Sequence, residues 1–220
     1  MARIPIEQHM PLENLIRTSM SLIQDGLTKV QRISDGSELP AGALESLSRG
    51  FELLAKVVIS LHEFDKTGAF PTSESFRKYG HSLERSLARV LEIYDDIDGP
   101  SAIVEDREFL KKDEFLSRLV WILSSFGGGG RYYDLDSLAS PLAHDSPMDL
   151  WSLLEGDALR EHPTEYRLIG TPQSRTSFEV VAKDLVVIIE RLARALSRLC
   201  SMGFVGPEAK RFSGYMSPFV

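Results

Sequence analysis

"SRTSFEVVAKDLVVIIERLARALSRLC", residues 174–200, is the stretch that decides the fold. Phe178, Val181, Leu185, Ile189, Leu192, Leu196 and Leu199 recur three or four residues apart along it. That spacing puts them on one face of a helix. It is close to a heptad seam, so this helix lines a bundle core or meets another helix.

Working outward, the other long segments have the same period. In 11–33, Leu12, Leu15, Ile16, Met20, Ile23, Leu27 and Val30 form one apolar face. In 43–64, Leu44, Leu47, Phe51, Leu54, Val58 and Leu61 do the same, and Leu53 and Val57 broaden the stripe. A stripe that wide predicts a central, well-buried helix. Segment 75–97 carries Leu83, Leu87, Val90 or Leu91, and Tyr94. Segment 106–126 carries Phe109, Leu116, Leu119, Val120, Leu123 and Phe126, after an acidic first turn that suits a helix N-terminus. Segment 146–159 is short, with Ser146 as N-cap and Pro147 at the first helical position.

No long strand pattern occurs, and "EYRLIG" (165–170) is the one short piece with extended character. The fold class is therefore all-α, with five or six helices in a single domain over 1–220. Within it, 1–126 supplies the core helices and 127–173 a glycine-rich connection with a short helix. The long C-terminal helix covers 174–203, and 204–220 is a tail.

Hydrophobic residues make up 43% of the chain and charged residues 26%, ordinary for a globular protein. The formal net charge of −7 disfavours polyanion binding over the whole surface, because that affinity comes from phosphate neutralisation. A local basic groove stays open: residues 174–220 hold seven Lys/Arg against four Asp/Glu, a net +3. Arg191, Arg194 and Arg198 lie on one helix there, as a solvated face or a contact strip for RNA or an acidic partner. Cys200 is the only cysteine, so no disulfide forms within the chain and a reducing, cytoplasmic compartment is expected. No apolar run has membrane-spanning length. No cofactor signature is present.

Three places have chemistry-bearing residues. "FGGGGRYYDLDSL" (126–138) offers backbone N–H groups from four glycines, but lacks the Lys-Ser or Lys-Thr of a phosphate-binding loop. Its glycines read as a helix C-cap and a flexible connection. Arg131, Tyr132 and Tyr133 after them offer a cation, two stacking faces and two hydroxyls, suited to bases or phosphates or to amphipathic surface packing. "RKYGHSLERSL" (77–87) is read as a bend at Gly80 and an N-cap at Ser82, with Glu84 in the first turn. It leaves His81 at the helix entry, as a structural hydrogen-bonding group or an acid–base. His9, His62, His144 and His162 have no metal-binding spacing, and no metal site is expected. "YDDIDG" (94–99) reads as a solvated helix end.

"GFELLAKVVISLHEF" followed by "GAFPTSESFRKYGHSLERSL" resembles the helical HEPN (higher eukaryotes and prokaryotes nucleotide-binding) superfamily. Glu52 and Lys56 match its buried Glu/Lys helix, and Gly80, His81 and Leu83 match its Gly-His-Asp-Leu helix start. Ser82 stands where aspartate is frequent. The likeness runs from Arg49 to Val90, with a fainter echo at "RYYDLD".

The resemblance implies an up-and-down helical bundle that forms a homodimer, in a toxin–antitoxin or phage-defence context. Many such proteins are ribonucleases, and others are inactive binding modules. The nuclease motif is an arginine, four to six residues, then a histidine. Arg77 and His81 have only three residues between them. Arg3 and His9 have five between them, but Pro5 intervenes in a stretch that precedes the first helical segment. The expectation is a non-catalytic HEPN-like protein that binds a nucleotide, RNA or protein partner through Arg77, Lys78, His81, Arg131, Tyr132 and Tyr133. The alternatives are a divergent metal-independent ribonuclease using His81, and a structural oligomer built on the 174–203 helix.

Overall fold

The computed structural model describes residues 3–33, 39–140 and 145–219. Among them are eleven α-helices, two short 3-10 turns and no strand. Three 28-residue helices frame the molecule: α1 (Ile6–Ile33), α2 (Pro40–Thr67) and α10 (Ser174–Ser201). Between α2 and α10 run α3 (Ser73–Arg77), α4 (Leu83–Asp95), α5 (Ser101–Lys112), α6 (Glu114–Gly127), α7 (Tyr133–Ala139), α8 (Pro147–Arg160) and α9 (Pro163–Tyr166). The last helix, α11 (Pro207–Phe212), leads into a 3-10 turn at Ser213–Phe219.

The wide stripe of α2 does what its width predicts. Fifteen of its residues are buried, and it packs against α1, α4, α6, α8, α10 and α11. Leu53 is half-buried because it faces the α1 side near the surface, where two cavities open. In α4, Val90 is fully buried and Leu91 half-buried. On α10 every residue of the seam is buried except Phe178, at 41% exposure. The chain's own helices thus fill that seam, and Leu192 at 0% exposure is closed to a second copy.

Four expectations change. Seven helices reach twelve residues or more, rather than five or six in all. One cause is Asp113, which splits the 106–126 segment by capping α6 through Leu116 N–H at 2.8 Å. Second, α5 begins at Ser101, so Asp106 lies in mid-helix, buried, instead of in a solvated first turn. Third, "EYRLIG" is helical turn, not extended chain. Fourth, residues 204–219 are no tail. Val205, Ala209, Phe212, Met216 and Phe219 fold back into the core against α1, α2 and α10.

Arg191 and Arg198 are structural residues. Arg198 donates to Asp106 Oδ2 at 2.6 Å and to the Ala102 carbonyl at 3.1 Å. Tyr94 Oη donates to the Ala195 carbonyl at 2.8 Å and sits 3.4 Å from Asp106 Oδ2. Burial pushes the Asp106 carboxyl above its usual range, against the pull of Arg198. Arg191 stacks on Phe109, 4.1 Å from the ring centre. Of the three arginines only Arg194 is solvated, so no continuous basic strip exists on α10. No described helix is long and apolar enough to cross a membrane.

Candidate functional site

The site starts at a bend. Thr72 caps α3 by accepting from Ser75 N–H, and Gly80 then takes φ +56°. An L side chain rarely adopts that conformation, so glycine is required for the chain to turn there. Ser82 caps α4 by accepting from Arg85 N–H at 3.3 Å, and its hydroxyl meets Ser124 Oγ of α6 at 3.1 Å. The bend, cap and helix start follow the reading of "RKYGHSLERSL".

The bend is held to α2 by charge. Lys56 Nζ donates to the Gly80 carbonyl at 2.8 Å and to Glu52 Oε1 at 2.5 Å. Glu52 Oε1 also lies 3.2 Å from His81 Nδ1. A carboxylate only accepts, so Nδ1 is the donor in this contact. Glu52 is 13% exposed at its side chain, while His81 is 70% exposed. An anchored carboxylate therefore orients a solvent-facing imidazole. Glu52, Lys56, Gly80 and His81 thus form one network.

Beside it lies a cleft of about 270 Å³, lined by Glu45, Ser48, Arg49, Glu52 and Leu53 of α2, His81, Phe126 and Gly127 of α6, and Arg131. The glycine run shapes it. A Cβ at Gly127 would stand 2.5 Å from Ser48 Oγ and 3.3 Å from the His81 carbonyl, so α6 approaches α2 and the bend only because that residue has no side chain. The chain then turns through Gly129 and a 3-10 turn at Gly130–Tyr132. This swings Arg131 over to the cleft that His81 lines.

Of the six predicted binding residues, His81 and Arg131 meet in the cleft. Arg131 leans on the exposed Tyr132 ring, 5.2 Å from its centre. Tyr133 starts α7, half-buried. Arg77 and Lys78 are exposed on and just after the short α3, outside the cleft lining. Sequence reasoning missed Arg49, Glu45 and Ser48. The signal for them was available: Glu45, Arg49, Glu52 and Lys56 repeat at four, three and four residues, a polar stripe on an otherwise apolar helix.

Among the described residues no ion pair engages Arg49 or Arg131. Two guanidinium groups and an imidazole thus edge one concave surface, which the carboxylates of Glu45 and Glu52 also line. Guanidinium forks match phosphate oxygens in geometry and charge. Among the described residues no group of three His, Cys, Asp or Glu is placed to hold a metal ion.

The other titratable candidates lie elsewhere. His9 sits in the first turn of α1, bonded to the Ile4 carbonyl at 3.1 Å and edge-on to Phe212, so Arg3 and His9 flank a structural junction. His62 is buried in α2, and burial lowers its pKa. His162 pairs with Asp184 at 2.6 Å, which raises its pKa. His144 lies outside the described residues. Cys200 is fully buried and its thiol is pushed up to about 12, which makes it a poor nucleophile. No family model, curated protein or solved structure matches the chain.

Proposed function

We propose that this chain is a HEPN-like helical protein without the family's nuclease motif, and that it binds the phosphate of a nucleotide or RNA in the α2–α6 cleft. One observation carries the reading: Arg49, Arg131 and the Glu52-anchored His81 share a single cleft. The guanidinium groups contribute charge and paired donors for phosphate oxygens. His81 adds a further hydrogen-bonding group, and Tyr132 offers an exposed ring for a base to stack on. The overall charge of −7 confines such an affinity to this local patch.

The test is fluorescence anisotropy with a labelled single-stranded RNA, competed by unlabelled nucleotides. The R49A/R131A variant is expected to bind at least tenfold more weakly with unchanged far-UV circular dichroism. Equal binding by parent and variant sinks the reading.

The Glu52–His81 contact favours a second reading, a divergent metal-independent ribonuclease. There His81 Nε2 takes the proton of the attacking 2′-hydroxyl, and Arg131 stabilises the charge building on the phosphorus oxygens. Incubation with total RNA in the presence of a chelator decides it. Cleavage that is lost in His81→Ala supports this reading, and intact RNA contradicts it.

A further inference from the structure

A second cavity, of about 400 Å³, lies between the start of α1 and the middle of α2. Its walls are apolar: Leu12 and Leu15 of α1, Leu53 and Val57 of α2, with Phe70 and Phe76 closing it from the α2–α4 connection. Phe70 is fixed there by stacking on Phe64, with ring centres 4.8 Å apart. The cavity opens to solvent along α1, where Leu15 is 45% exposed, so a ligand can enter from the surface. A chamber of this size and lining is in the range of small-molecule sites.

Its few polar groups select the occupant. Ser60 donates its one O–H to the Lys56 carbonyl at 2.7 Å. Lys56 is bonded to Glu52 and to the Gly80 carbonyl, which uses two of the three donors of its ammonium. Gln8 is the remaining polar side chain on the wall. A nucleobase would bury several edge donors and acceptors against one amide, and unpaired buried polar groups are costly. A hydrocarbon chain has none to lose. One free ammonium donor at the wall calls for a single acceptor at the chain's end.

We propose that this chamber binds the chain of an aliphatic carboxylic acid, with the carboxylate against Lys56 and Gln8. The volume admits roughly ten carbons at ligand-site packing. Leu53 lines both this chamber and the neighbouring cleft. The chamber does not depend on the phosphate reading of that cleft, since none of its walls is Arg49, His81 or Arg131.

The experiment is displacement of anilinonaphthalene sulfonate fluorescence from the full chain, with calorimetry on the same samples. Decanoate is expected to bind one to one, about a hundredfold more tightly than hexanoate, because four more methylenes are buried. Decyltrimethylammonium, with the same chain and a cationic head, is expected not to compete. Leu15→Trp and Ser60→Leu fill the chamber and should each weaken decanoate at least tenfold, while R131A binds it as the parent does. Equal affinity for six- and ten-carbon acids overturns the proposal, as does equal binding by folded filled variants. If neither filled variant folds, the chain-length and head-group series on the parent decides alone. A dimer that dissociates in Leu15→Trp, with no decanoate binding, assigns the surface to a second copy and also overturns it.

Discussion

Two regions of this protein use the same side chains to opposite ends. At the α5–α10 junction, Arg198 meets Asp106, with side-chain exposures of 24% and 6%. Tyr94 and the Ala102 and Ala195 carbonyls complete the set. At the cleft, Arg49 and Arg131 stand exposed, and the nearby carboxylate of Glu52 is taken by Lys56 and His81. A buried arginine with its partners in place holds two helices together. An exposed one with no ion pair among the described residues is available to a ligand. The difference lies in burial and partners, and the residue type alone does not reveal it.

The comparison is broken most forcefully at the junction. Arg198→Ala leaves the Asp106 carboxylate buried without its cation, which costs about 3–5 kcal/mol. Urea denaturation checks this, and a loss under 1 kcal/mol would show the pair to be dispensable. The next effect sharpens the cleft side. Gly127→Ala forces its Cβ onto Ser48 Oγ and should cost about 1–3 kcal/mol. Adding Ser48→Ala should return part of that loss in a double-mutant cycle, because it removes the atom that clashes.

The smallest effect is a pH dependence. His162 has a raised pKa because it bonds Asp184. Its contribution is present below the unfolded value near 6.5 and is lost as pH rises through the raised folded value. The Tm gap between parent and Asp184→Asn should therefore be wider at pH 6 than at pH 9. An equal gap at both would show that the pair does not titrate with folding.

The long helices were legible because burial imposes a period on them. Leu44 to Leu61 and Val181 to Leu199 hold theirs without interruption. The break at Asp113 was hidden, since Phe109 and Leu116 are two helical turns apart on either side of it and the apolar face runs on. The local signal was present as Lys111 and Lys112 at one helix end, then Asp113 as cap and Glu114 in the next first turn.

Part of the cleft was legible as well. Gly80 and Ser82 declare a bend and a cap, and Glu52 and Lys56 are one helical turn apart. Arg49 escaped notice because an exposed arginine on an amphipathic helix looks like solvated surface. The Asp106–Arg198 pair joins positions 92 residues apart, and no local pattern announces a contact of that kind.

The central claim is that the two exposed arginines at the cleft, and not those at the junction, meet a phosphate-bearing ligand. One measurement tests it: RNA and nucleotide affinity of R49A/R131A beside Arg194→Ala, at matched ionic strength. The expected result is a loss of at least tenfold for the cleft pair and parent-like binding for Arg194→Ala. Equal affinities for the two variants, or a larger loss from Arg194→Ala, would contradict it.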